Sequence, residues 1–154
     1  MTVPPLYQQL VLEHSRAPRR FGELAEHTHA ADGANPLCGD ALHIELRVTN
    51  ERIVGYAFSG EACAITRASA SMLGERLDNA GVDELGGIAA ALQAAIECGI
   101  ASDPSLGDLN ALAALAHYPS RRNCALLPLA TVSAALSGGG RVSTEQNKIE
   151  EASQ

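Results

Sequence analysis

The sequence has 154 residues, of which 46% are hydrophobic but only 3% aromatic, so it is long enough for one domain with an aliphatic core. Eleven basic residues against 18 acidic ones give a net charge of -7, which disfavours nucleic acid and anionic membranes as partners. No apolar run approaches the roughly 20 residues of a membrane span, and the first ten residues lack a signal-peptide pattern, so we expect a cytoplasmic protein.

The first predicted element is a helix over residues 4–16, where apolar residues from Leu6 to Val11 recur at helical spacing. Residues 15–34 then show no regular period, and they are predicted to form a loop with a local basic spot from its arginines.

An antiparallel hairpin is predicted over residues 41–59. Apolar and polar residues alternate from Leu42 to Val48, and Asn50–Glu51 makes a tight turn. The second strand is expected to present one apolar face, formed by Val54, Tyr56 and Phe58. With a third strand expected from the preceding loop, this predicts a small antiparallel three-stranded sheet.

The remaining patterns favour helices that pack against this sheet, and they occupy residues 63–79, 83–97, 106–118 and 121–136. The helix at 106–118 is expected to stop before Pro119. The predicted fold class is therefore α+β, with one domain over residues 1–137 and a flexible C-terminal tail over residues 138–154.

Pro128 interrupts the last helical pattern four residues after Cys124. An interior proline removes the hydrogen bond to the carbonyl four residues earlier, so either the helix begins near Pro128 or it is kinked there. Both alternatives predict that Cys124 is less sequestered than a cysteine in the middle of a helix.

Three of the four cysteines are predicted at element boundaries: Cys38 before a strand, Cys63 at a helix start and Cys124 near another. Together with Asp40 they offer three thiolates and one carboxylate, which suits tetrahedral zinc or an iron–sulfur cluster. The alternative is a set of buried cysteines with Asp40 capping a turn, and the spacing alone does not decide. Cys98 is interpreted as a structural or incidental thiol.

The histidines are weaker candidates. His14 on a helix face is interpreted as a packing or hydrogen-bonding residue, and His27 and His29 as residues of a solvated loop. The His43–Glu45 segment is explained by alternation on a strand, because the downstream P-C-x-x-C motif of zinc deaminases is absent from the sequence.

Four ordered motifs point to a known family: "LYQQLVLEHSRAPRRFGEL", "NPLCGD", "FSGEACAITRASASML" and "RRNCALLPL". In these motifs the chain resembles the iron–sulfur assembly scaffolds of the IscU/NifU-N type, and more closely their SufU branch. The resemblance runs from about residue 6 to residue 137.

The resemblance implies metal ligands at Cys38, Asp40, Cys63 and Cys124. Asn123, where IscU proteins have histidine, and the long stretch between the second and third motifs favour the SufU branch. The sequence departs from the family pattern at two positions, which are Ala62 in place of glycine and Pro128 in place of tryptophan.

The function that the resemblance implies is a zinc-dependent sulfurtransferase. In such a protein Cys124 takes persulfide sulfur from a pyridoxal-phosphate cysteine desulfurase and passes it to a downstream scaffold complex. Arg121 would stabilise the thiolate or guide docking, and Asp40 would tune metal lability. Two alternatives stay open: a scaffold that assembles a [2Fe-2S] cluster on the same ligands, and a structural zinc module that acts in docking.

Overall fold

The computed structural model describes residues 4–101 and 103–143. The α-helices are α1 (Pro5–Arg16), α2 (Ala64–Leu77), α3 (Leu85–Cys98) and α4 (Pro119–Leu136). The strands are β1 (His29–Asn35), β2 (Asp40–Thr49), β3 (Arg52–Glu61) and β4 (Arg141–Ser143). The 3₁₀ elements cover Val82–Glu84 and Pro104–His117. Within the described ranges, no helix combines the length and the apolar character needed to cross a membrane.

The strands form one sheet in the order β3-β2-β1-β4. The first three are antiparallel, whereas β4 runs parallel to β1. The predicted α+β class is confirmed, but the sheet has four strands rather than three. The extra strand falls in the segment predicted as a tail, because glycines 138–140 adopt positive φ values of 119°, 85° and 98° that turn the chain back beside β1. Residues 144–154 lie outside the described residues, and a flexible tail there stays a prediction.

The β2–β3 hairpin forms as predicted, with Asn50 and Glu51 in the left-handed region at φ 52° and 61°. Its second strand differs in one position. The pairing register shifts between Arg47 and Val48, so Ile53 is fully buried and Val54 is 46% exposed. The prediction that Val54 lies on the apolar face is wrong, because the bulge rotates that end of the strand by one residue.

The region predicted as a loop contains β1 at its end, which confirms the expected third strand. Pairing with β2 runs from His29 opposite Leu46 to Asn35 opposite Asp40. The alanine- and glycine-rich sequence of β1 hides it from a search for apolar alternation.

The helix predicted over residues 106–118 differs from the structure in type. Residues Pro104–His117 form a 3₁₀ segment that is interrupted at Gly107, where φ is 58° and ψ is -129°. Pro119 does not simply end this segment, since it occupies the first turn of α4, where a missing N–H costs nothing.

The core lies between the sheet and the helices, and its members are mostly aliphatic, including Leu42, Ile44, Leu46, Leu73, Leu92, Leu112 and Leu127. Helix α4 crosses β1 at Gly33, where a Cβ atom would collide with the Thr131 hydroxyl. This close approach brings the first half of α4 beside the end of β1, which is the end that carries the candidate site.

Candidate metal centre

The turn between β1 and β2 delivers two of the predicted ligands. The Cys38 amide donates to the Asn35 carbonyl at 3.1 Å, with Pro36 at the second position of the turn. Gly39 follows with φ 69°, and β2 begins at Asp40. Cys38 is therefore exposed on the turn, while Asp40 is buried at the start of the strand.

Cys63 occupies the N-cap position of α2, as predicted. Its backbone N–H donates to Asp40 Oδ1 at 2.7 Å, and its Sγ lies 3.8 Å from Asp40 Oδ2. The Asp40 carboxylate thus caps a helix whose N-terminus favours negative charge. The capping role left open by the sequence and a role as metal ligand are compatible, because the same carboxylate faces the thiol.

Cys124 lies inside α4, which begins at Pro119 and continues through Pro128. Its relative exposure is 0%, so the prediction of a less sequestered Cys124 is wrong. Pro128 cannot donate to the Cys124 carbonyl, and the Thr66 hydroxyl lies 3.2 Å from that carbonyl. Asn123 and Arg121, by contrast, keep some exposure on the same helix.

These elements bring the predicted ligands together. Cys124 Sγ is 3.0 Å from Cys38 Sγ, and one ligand atom from each of Cys38, Asp40 and Cys124 lies within 4.8 Å of the others. Cys63 adjoins this group through Asp40, because its Sγ lies 3.8 Å from Asp40 Oδ2. The described cysteines are all free thiols, so none of these sulfurs is tied up in a disulfide.

The close thiols do not ionise independently. The hydrogen bond with Cys124 lowers the pKa of Cys63 to about 6, against the effect of burial, and Thr66 acts in the same direction. The same hydrogen bond, burial and the neighbouring Cys38 raise the pKa of Cys124. A divalent cation held by the group would favour the ionised form of every thiol.

Two buried polar residues complete the site, and the sequence analysis missed both. The Thr66 hydroxyl donates to Asp40 Oδ2 at 2.7 Å and lies 3.3 Å from Cys63 Sγ. The Asn35 amide donates to Cys124 Sγ at 3.5 Å. The only sequence signals were Thr66 in the first turn after Cys63 and Asn35 before a proline, and neither pattern is specific.

Arg121 lies in the first turn of α4 and lines an apolar cavity of about 410 Å³ between α1, α2 and α4. Tyr7 of α1, also missed by the sequence analysis, faces the same cavity. Burial raises the pKa of Tyr7 to about 12, and the positive charge of Arg121 partly opposes that shift. Arg121 is thus placed at the rim of the site rather than among the predicted ligands.

The other candidates lie elsewhere. Cys98 is exposed at the last residue of α3. His43 accompanies Asp32 and Glu45 on the sheet, as the strand interpretation predicts. His27 lies in the loop as predicted, 3.7 Å from Glu45. The loop prediction is wrong for His29, which begins β1 and pairs with Leu46.

His14 is buried, as its interpretation as a packing or hydrogen-bonding residue predicts. Its Nδ1 lies 2.7 Å from the Ser71 hydroxyl, and its Nε2 lies 3.5 Å from Asp108 and 3.8 Å from Glu75. The Arg19 guanidinium sits 3.2 Å from the same ring and supplies a positive charge there.

Comparisons with known proteins agree with the motifs. A family model described as "NifU-like N terminal domain" matches residues 6–125. The "Zinc-dependent sulfurtransferase SufU" of Bacillus subtilis (strain 168) is 30% identical over 124 residues, which cover 79% of this chain and 83% of that protein. The "Iron-sulfur cluster assembly scaffold protein IscU" of Streptococcus pyogenes serotype M1 is 28% identical over 147 residues, covering 92% and 91%.

Among solved structures, the N-terminal part of a NifU-like protein from Brucella abortus superposes with a TM-score of 0.78. It is 24% identical, and the match covers 86% of this chain and 92% of that one, so it supports the fold. The resemblance predicted from the motifs is confirmed.

Proposed function

The chain belongs to the family of the NifU-like N terminal domain, and on this premise we propose that it is a zinc-dependent sulfur acceptor. Its place among the iron–sulfur cluster assembly proteins of the IscU, NifU and SufU type follows from the family and its relatives. The zinc and the sulfur transfer are the proposed part, and the name of the Bacillus relative supports them.

The donor set fits zinc. Three thiols and one carboxylate are ligands that Zn²⁺ takes in tetrahedral sites. They come here from the β1–β2 turn, the start of α2 and the first half of α4. Cys38, Asp40, Cys63 and Cys124 would hold the ion. Bound zinc would keep the thiols ionised and tie the three segments together.

The acceptor in this proposal is Cys124. Its thiolate attacks the terminal sulfur of a donor persulfide, the donor's S–S bond breaks, and the donor sulfur leaves as a thiolate. The new S–S bond is on Cys124, which ends as a persulfide, and no net oxidation or reduction occurs. A pyridoxal-phosphate cysteine desulfurase is the proposed donor, and a downstream scaffold complex is the proposed recipient.

Access to Cys124 requires movement. Its sulfur is fully buried, and Cys38 lies against it at 3.0 Å on the exposed turn. Displacing this turn uncovers Cys124 and removes a neighbour of its sulfur in one step. Arg121 at the rim of the adjacent cavity is the proposed docking or charge-stabilising residue.

The observation that carries this proposal is the meeting of Cys38, Asp40 and Cys124 within 4.8 Å, with Cys63 beside Asp40. Substitution of Cys124→Ser tests the acceptor role when the variant is assayed in excess zinc, because serine removes the accepting sulfur and keeps an oxygen at that position. We expect this variant to keep its fold and to lose stimulation of a cysteine desulfurase. Full stimulation by a zinc-loaded Cys124→Ser protein would favour a structural zinc module that acts only in docking.

A second candidate is a scaffold that assembles a [2Fe-2S] cluster on the same four residues. The relative named as an IscU scaffold favours it, and thiolates are the usual ligands of such clusters. Iron and labile sulfide in anaerobically purified protein would support the scaffold, whereas zinc without sulfide would support the acceptor.

A further inference from the structure

Asn35 is the last residue of β1, and its side chain is buried with only 1% relative exposure. Its backbone carbonyl already closes the turn by accepting from the Cys38 amide. The turn therefore uses the main chain of Asn35 and does not need an amide side chain. The side chain requires a separate explanation.

The two ends of that side chain have unequal surroundings. The Nδ2 group donates to Cys124 Sγ at 3.5 Å. Oδ1 is buried and finds no hydrogen-bond partner in the part of the chain that the structure describes. Buried polar atoms are nearly always paired, so an unpaired acceptor beside a sulfur indicates a requirement other than stability.

We propose that Asn35 is a positioning residue for the sulfur of Cys124. Its side-chain amide donates to that sulfur in the metal-bound protein and again while Cys124 takes up sulfur. This hydrogen bond withdraws electron density from the sulfur and fixes the direction in which the sulfur attacks. The free Oδ1 lies on the same amide and is available to accept the S–H of the new persulfide. This inference rests on the proposed acceptor role of Cys124.

Two variants of Asn35 test the contact. Asn35→Leu keeps the branching of the side chain without its polar atoms, and Asn35→Asp keeps the shape but replaces the donor with an oxygen. Asn123→Leu is the matched control. Asn123 precedes Cys124 on α4, but it lines a cavity that neither Asn35 nor Cys124 lines. Thermal melting of all three establishes that they are folded.

The first measurement is the sulfur-to-metal charge-transfer band of the Co²⁺-substituted protein. Loss of the N–H···S hydrogen bond makes the thiolate a better electron donor, so the band should move to longer wavelength in both Asn35 variants and stay in place in Asn123→Leu. A purely structural Asn35 would not move this band. An unshifted band in a folded Asn35 variant overturns the inference.

The second measurement is the rate at which Cys124 gains sulfur from glutathione persulfide, followed by mass spectrometry of the peptide. We expect about a tenfold slower rate in the Asn35 variants, because the loss of a fixed direction of attack outweighs the gain in electron density on the sulfur. Wild-type rates in a folded Asn35 variant overturn the role in transfer. If wild-type protein gains no sulfur but the Co²⁺ band still shifts, the contact is supported and the proposed acceptor function fails.

Discussion

Two groups of described residues bring metal-capable atoms within 4.8 Å of one another, and they differ in how their charge is balanced. In the first, Cys38, Asp40 and Cys124 meet around sulfur and a buried carboxylate. In the second, His14 meets Glu75 and Asp108, and both carboxylates are about half exposed.

The second group already contains its cation. Arg19 lies within 3.3 Å of both ring nitrogens of His14 and 3.8 Å from Glu75, so water and a guanidinium satisfy the negative charge. Around Asp40 the described contacts are thiols, a hydroxyl and one backbone amide. The comparison teaches that the balance of charge, as well as the residue types, distinguishes the proposed metal centre from the group around His14.

The largest expected effect is the loss of metal from the cysteine group. A ligand present at a free concentration 1,000 times its Kd stabilises the folded protein by about 4 kcal/mol. Removal of the metal by a chelator should therefore lower the melting temperature strongly. Cys38→Ser should have a low melting temperature with or without chelator. The melting temperature of His14→Gln should fall on chelation by as much as that of the wild type. Equal melting of the wild type with and without chelator would contradict the comparison.

Thr66→Val removes the hydroxyl that holds Asp40 without changing the side-chain shape. We expect zinc affinity to fall by 10- to 100-fold, the usual effect of losing a group that orients a ligand. Competition with a chromogenic chelator measures this. Unchanged affinity would mean that the hydroxyl serves only the carbonyl of Cys124 in α4.

Ser71→Ala is the counterpart on the same helix, because this hydroxyl contacts His14 Nδ1 and the Arg19 amide at 2.8 Å. Leaving these buried groups unpaired should cost about 1–3 kcal/mol of unfolding free energy. Zinc affinity should stay at the wild-type value. A drop in affinity as large as that of Thr66→Val would erase the distinction between the two groups.

The smallest expected effect concerns pH. Burial lowers the pKa of His43, but hydrogen bonds to Asp32 and Glu45 raise it by more, so the net shift is upward. Its contribution to stability is complete below the unfolded pKa, near 6.5, and is lost as pH rises through the folded pKa. Since His43 is partly exposed, the contribution should be under about 1 kcal/mol. Urea unfolding of His43→Gln should show a weaker loss of stability over this range, and an identical pH profile would contradict the assignment.

The elements best predicted from the sequence are those fixed by local chemistry. The turn at Asn50–Glu51 and the helix start at Cys63 depend on neighbouring residues, and both form as predicted. The exposure of Val54 could not be predicted in this way, because the register shift that turns it outward arises from pairing with β2.

The depth of Cys124 could not be predicted either. The sequence shows that Pro128 frees the Cys124 carbonyl, but Thr66, which lies beside that carbonyl, is 58 positions away along the chain. Asn35 likewise reaches Cys124 across 89 positions. The proposed ligands lie in recognisable motifs, whereas Thr66 and Asn35 are brought to them only by the packing of α2, α4 and the β1–β2 turn.

The most direct test is elemental analysis of anaerobically purified wild-type protein beside Cys38→Ser, Asp40→Ala, Cys63→Ser and His14→Gln. We predict one zinc per chain without labile sulfide in the wild type and in His14→Gln, and a marked loss of zinc in the other three. Zinc content that is unchanged after removal of Cys38, Asp40 or Cys63 would contradict a shared metal centre.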